Sequence, residues 1–198
     1  MQAIEALLQR RSARALAEPA PDDAALGLML QSAVRAPDHG RLRPWRFIVI
    51  RDAGRAQLGE LLADQLRRSR GTVTEEAIER ERRKAFRAPV VIVVAAIIVP
   101  VAKIPPVEQI LSAGAAAHAV LLAACALGFN AMWKTGGAAY DDAVKAALDL
   151  ESKDAIVGFL YLGSEDRSAQ PAQAPARPDW QQFVRNWAGP VGAKSASR

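Results

Sequence analysis

The sequence predicts one sizeable α/β domain, and three observations point there. A chain of 198 residues is long enough to enclose a proper core. Its composition, 51% apolar and 24% charged, is that of a soluble globular protein and not of a disordered one. Stretches with helical spacing alternate with short runs of β-formers, one of which, 89–99, is uniformly apolar.

Taken in order, residues 3–10 read as a short helix ending near Arg10, Arg11 and Ser12. Pro19, Pro21 and Asp22 set up a second helix, with Asp22 as N-cap and Leu26, Leu28, Leu30 and Val34 as buried positions; Pro37 stops it. Residues 45–51 form a strand bounded by Pro44 and the turn Asp52-Ala53-Gly54. Helices over 55–70 and 74–86 follow, linked through Gly71. The run 89–99 lacks a polar face, so it is a central strand covered on both sides. Pro105 and Pro106 open the longest helix, 106–127, nearly free of charge beyond Glu108 and closed by Gly128. A helix apolar all round must be enclosed by other protein, in the core or at a subunit interface. A short strand through Met132 and Trp133, a helix over 141–148 and a strand over 155–162 complete a domain spanning 1–165. A Pro/Ala-rich spacer then leads to Trp180, Phe183 and Trp187. This extension, 166–190, packs on the domain or on a partner subunit, and 191–198 is a disordered tail.

Several function classes are excluded. The single cysteine, Cys125, rules out an internal disulfide framework and any multi-thiolate metal site; within Leu121 to Leu127 it reads as an inert buried thiol. The N-terminus lacks the basic and apolar regions of a secretory signal, and the apolar run 90–99 is about half a membrane span, so the protein is expected to be cytoplasmic. Net charge is +5, but between residues 74 and 86 Glu and Arg interleave, which describes an ion-paired, solvated helix face more than a nucleic-acid surface. No Gly-x-Gly-x-x-Gly turn, P-loop or Gly-x-Ser-x-Gly elbow is present. With only His39 and His118, no zinc site is expected, and His118 reads as a packing or interface residue. An enzyme so poor in acid–base groups needs an organic cofactor to supply the reactive atoms, with no catalytic side chain of its own.

Cations remain to be explained. Arg10, Arg11 and Ser12 present two guanidinium forks and a hydroxyl at a helix end. They suit a phosphate, each charge-assisted bond contributing about 1.5–3 kcal/mol, or else pair with carbonyls and carboxylates nearby. A second cluster lies in Arg35-Ala36-Pro37-Asp38-His39, which leads through Arg41 and Arg43 to Pro44-Trp45-Arg46-Phe47. Together with Gln109-x-x-Ser112-Ala113-Gly114 and the stretch from Leu127 to Met132-Trp133-Lys134-Thr135-Gly136, these segments resemble the nitroreductase family of flavin mononucleotide (FMN) enzymes over residues 1 to about 165. The Arg-Ala-Pro-Asp-His form is especially similar to a compact subgroup of small NAD(P)H nitroreductases.

The resemblance implies an α+β fold, a mixed central sheet flanked by helices, and an intertwined homodimer with FMN at its interface. It implies cofactor contacts from Arg10, Arg11, Ser12 and Arg35 of one subunit, His39 of the other, and Trp133, Lys134, Thr135 and Gly136. The activity implied is ping-pong transfer of hydride from NADH or NADPH, by way of flavin N5, to a nitroaromatic, quinone or similar acceptor. An arginine beside the pyrimidine edge favours the charge that develops there, without risk of deprotonation. Two departures stand out. Arg41 and Arg43 occupy positions where larger members often carry Asn and Gln, which biases the open face toward anionic acceptors. The C-terminal segment lacks the basic phosphate-binding arm of larger members, leaving Arg177 or Arg185 as candidates. A flavoprotein of the same fold with different chemistry (flavin fragmentation or dehalogenation) and a basic nucleic-acid-binding module are the alternatives; bound flavin with no nitro turnover marks the first, a colourless protein the second.

Overall fold

The computed structural model describes residues 2–100, 103–166 and 176–187. The expected tail at 191–198 and much of the 166–190 extension lie outside the described residues.

Among the described residues the regular elements are α1 (Ala3–Gln9), β1 (Leu16–Ala17), α2 (Asp23–Ala33), β2 (Trp45–Ile50), α3 (Ala53–Arg70), α4 (Glu75–Arg82), β3 (Val90–Ala96), α5 (Pro106–Ala126), β4 (Asn130–Lys134), α6 (Asp142–Ala147) and β5 (Ala155–Glu165); all but the short β1 follow the expected order. Short 3-10 turns cover His39–Arg41, Arg83–Phe86, Gly137–Tyr140 and Trp180–Phe183. Local chemistry sets most boundaries. Asp22, Thr74 and Asp141 cap α2, α4 and α6 by accepting the N–H groups of Ala25, Ala77 and Val144. Pro106 occupies the first turn of α5, and Gly128, at φ +87°, takes the left-handed position past its end.

The sheet runs β1-β5-β3-β2, with β4 also paired to β5. Every named ladder is antiparallel, and the parallel component is a single bridge from Ser12 to Ala131. β3 lies between β2 and β5, and all seven of its residues are buried. Alternation sends Val91, Val93 and Ala95 toward α3 and α6, where they pack with Leu58, Leu62 and Val144. Val90, Ile92 and Val94 face the other way and meet Met29 of α2 and Val120 of α5. The result is an α+β domain with helices on both sides of one sheet.

Three details differ from expectation. On α2 the buried positions are Leu26, Met29 and Ala33, whereas Leu28 and Val34 are exposed and Leu30 is half-buried. All are apolar, so the sequence alone does not say which stripe meets the sheet; the packing of α2 on α5 does. Helix α5 is long and apolar enough to cross a membrane by length and composition, yet one side packs in the core through Ala113, Ala116, Ala117, Val120 and Ala124. Its other side leaves Val107, Ile110, Leu111 and His118 exposed. Cys125 is half-buried, with Sγ 3.9 Å from the Ala6 carbonyl. The interleaved charges of α4 do form ion pairs, from Arg82 to Glu60 and Glu79 and from Arg83 to Glu79.

Candidate active site

The loop between α2 and β2 is held rigidly while its arginines stay free. Ser112 on α5 donates to the Pro37 carbonyl at 2.7 Å and accepts the Trp45 indole N–H at 2.9 Å. The Asp38 carboxylate accepts the Arg43 N–H at 2.7 Å, and His39 Nδ1 lies 2.6 Å from Glu108 Oε2. Gly40, at φ +70°, packs so tightly on Ile104 that a Cβ would stand 2.3 Å from its Cδ1. Arg41 and Arg43 hold φ angles of 55° and 50°, unusual for such side chains and a form of backbone strain that concentrates at functional sites. The guanidinium groups of Arg35, Arg41 and Arg43 have no partner among the described residues.

The Arg10 segment lies elsewhere. Ser12 bridges to Ala131, and the Ala13 N–H donates to the Ala131 carbonyl at 3.1 Å, so the segment is stitched to the start of β4. Arg10 and Arg11 line a cleft of about 210 Å³ with Leu121, Cys125 and Asn130. The two arginines are not equivalent. Arg11 pairs with Glu165, whereas the half-buried Arg10 guanidinium has no partner among the described residues. Of the two C-terminal arginines, Arg177 lies against the Arg10 segment: its Nη2 donates to the Arg10 carbonyl at 2.7 Å and to the Leu8 carbonyl at 3.4 Å. Both bonds use one nitrogen, which leaves the rest of that fork beside Arg10.

The residues at the end of β4 divide between the two sheet faces. Trp133 turns toward α5, donating its indole N–H to the Val157 carbonyl at 3.2 Å and covering Gly158, where a Cβ would stand 2.2 Å from Nε1. Lys134 points the other way, with Thr135 and Gly136 exposed in the following turn and Gly136 at φ 113°.

The structure therefore brings Arg10, Arg11 and Ser12 to one end of α5 and Arg35 and His39 to the other. From Glu108, which holds His39, to Cys125, beside Arg10, the helix rises about 25 Å. Arg35, two residues before the Pro37 anchor, travels with His39 and away from Arg10. Arg35 thus shares a loop with His39, the residue that the resemblance draws from the other subunit. Gln109 and Ser112, quoted among the sequence motifs, work as clamps: the Gln109 side chain accepts the Val99 N–H and donates to the carbonyls of Val99 and Ile104.

Comparison with known proteins fits this architecture. The model of the "Nitroreductase family" matches residues 7–164. The Escherichia coli (strain K12) protein named "Putative NAD(P)H nitroreductase YdjA" is 41% identical over 169 residues, covering 85% of this chain and 91% of that protein. A Haemophilus influenzae protein named as an NAD(P)H nitroreductase in the same terms is 35% identical over 171 residues, 86% of this chain and 92% of its own. Among solved structures, a nitroreductase-like family protein from Bacillus cereus superposes with a TM-score of 0.79 at 23% identity, over 96% of this chain and 97% of that one. The FMN complex of a Desulfovibrio desulfuricans protein described as a nitroreductase gives 0.70 at 25% identity, over 96% and 99%. With the fold matched along nearly its whole length and the family model spanning its domain, this chain belongs to the nitroreductase family.

Proposed function

We propose that the protein is a cytoplasmic, homodimeric, FMN-dependent oxidoreductase that takes reducing equivalents from NADH or NADPH and delivers them to a nitroaromatic, quinone or related acceptor. The observation that carries this reading is the division of unpaired cations between the two ends of α5. A nucleotide cofactor needs cations at its phosphate and at the electron-rich edge of its ring, and in one chain the candidates for these sit toward opposite ends of α5. Two chains related by a twofold axis can bring the Arg10 end of one to the Arg35 and His39 end of the other. Exposed apolar residues on α5 (Val107, Ile110 and Leu111) and on α1 (Ile4, Leu7 and Leu8) offer surface that a second copy would cover.

The donor set fits FMN. Arg10, with Arg177 beside it, offers guanidinium forks for a phosphate, and Ser12 offers a hydroxyl next to the β4 backbone. Trp133 supplies an aromatic wall, and the N–H groups of the turn around Thr135 and Gly136 are available to a ring edge. Arg35 and His39 close the site from the partner. When bound, FMN supplies the hydride-accepting and hydride-donating chemistry. The protein's own part is to fix charge and exclude water, with no side chain acting as nucleophile.

A visible spectrum and a flavin titration test this. Purified protein is expected to carry flavin absorbance or to take up added FMN at one per chain, and to oxidise NAD(P)H when given a nitroaromatic. Arg10→Ala and Arg35→Ala should each weaken FMN binding about tenfold or more, the loss expected for a charge-assisted bond. A colourless protein that refuses FMN, or a double variant that keeps stoichiometric FMN, refutes the assignment.

A further inference from the structure

Across the sheet from the Arg10 cleft, a cavity of about 290 Å³ opens between the Arg83–Phe86 turn and the turn that follows β4. Its floor is apolar and partly aromatic, made by Leu62, Phe159 and the ring of Tyr161, while Lys84, Arg87 and Lys134 line it as cations. Lys84 is neutralised by Glu81, whose carboxylate lies 2.5 Å from Nζ. Arg87 and Lys134 have no side-chain partner among the described residues, so two positive charges stand uncompensated. Tyr161 is only 3% exposed, and its hydroxyl also lacks a hydrogen-bond partner among the described residues. Burial pushes that hydroxyl's pKa up, and Tyr161 lines the cavity together with Arg87 and Glu81. A phenol oxygen beside two uncompensated cations is a further hydrogen-bond donor for an anion that enters the cavity.

We propose that this cavity is a binding site for a small aromatic carboxylic acid, its ring against Phe159 and Leu62 and its carboxylate among Arg87, Lys134 and the Tyr161 hydroxyl. The volume sits at the lower edge of the ~300–1,000 Å³ range of ligand clefts, which suits one ring with an acid group and not a dinucleotide. Inorganic phosphate would leave the aromatic floor uncovered, and a neutral arene would leave the cations unpaired. Lys134, Thr135 and Gly136, which the family resemblance assigns to the cofactor, also line this cavity, whereas Arg87 and Tyr161 belong to it alone.

Calorimetric titration of the purified full-length protein, with its flavin content read beforehand by absorbance, keeps the two readings separate. Benzoate, benzamide and inorganic phosphate are compared at constant ionic strength. Benzoate should bind at least about tenfold more tightly than either of the others. Arg87→Gln, an exposed change, should weaken benzoate about tenfold, and Tyr161→Phe about fivefold. Because the hydroxyl has no internal partner, Tyr161→Phe should leave the thermal midpoint of the ligand-free protein unchanged or raised. Benzoate binding no tighter than benzamide, phosphate binding tighter than benzoate, or affinity untouched by both substitutions would each overturn the proposal.

Discussion

Ser112 makes two hydrogen bonds that join segments some seventy residues away in sequence, one from the Trp45 indole and one to the Pro37 carbonyl. Its hydroxyl is thus the pin that fixes the arginine-bearing loop to α5. Ser112→Ala should cost about 1–3 kcal/mol in urea unfolding, the loss expected when buried donors and acceptors go unpaired. The same variant should weaken FMN uptake without removing a single charge. If stability and uptake both match those of the unsubstituted protein, the pin is dispensable. The sequence marked Ser112 and Gln109 as parts of a motif but not as clamps, because their partners become neighbours only on folding. Arg10 and Arg11 illustrate the same gap: identical side chains in adjacent positions, separated in role by Glu165 at the far end of the chain. Tyr161 and Arg87 left no signal in the sequence, since one sits in an apolar strand and the other in a charged stretch.

Element boundaries were largely legible because their causes are local. Asp22 as a cap, Pro106 at the start of α5 and Gly128 past its end act within one turn of the residues they govern. The face that an apolar helix buries depends on its neighbours, and that is where α2 escaped prediction at Leu28 and Val34. Helix α6 offers a test of cap electrostatics. Burial works to raise the Asp141 pKa, but the Val144 N–H and the Arg68 guanidinium outweigh it and hold the carboxyl below its ordinary value. The stabilisation is complete above the unfolded-state pKa of about 3.9 and is lost as pH falls through the lower folded value. Asp141→Asn keeps a capping oxygen but loses the charge, so it should be about 0.5–1 kcal/mol less stable near neutrality, a modest figure because the pair with Arg68 is partly exposed. In urea titrations the gap from the unsubstituted protein should narrow once the pH drops below the usual carboxylate range; a gap independent of pH would mean that the charge contributes nothing.

At the scale of the whole molecule, the fold class and family were readable from four short segments in the right order, whereas the distribution of their residues in space was not. Spacing along the chain gives no hint that α5 separates the two cation clusters, since residues 10 and 35 are close in sequence and helix α2 lies between them. The proposed dimer turns this separation into a genetic test. Each cofactor position would borrow half its grip from the neighbouring chain, so damage to the two halves need not accumulate in the same place. A hybrid assembled from one Arg10→Ala chain and one His39→Ala chain would concentrate both lesions in a single position and leave the other whole. Random pairing of equal amounts makes about half the dimers hybrid, so the mixture should regain about a quarter of normal flavin occupancy and turnover and the purified hybrid about half, although neither parent homodimer works. Such complementation would make the chain's unit of heredity smaller than its unit of function: one gene product, incomplete alone, that becomes competent only in company.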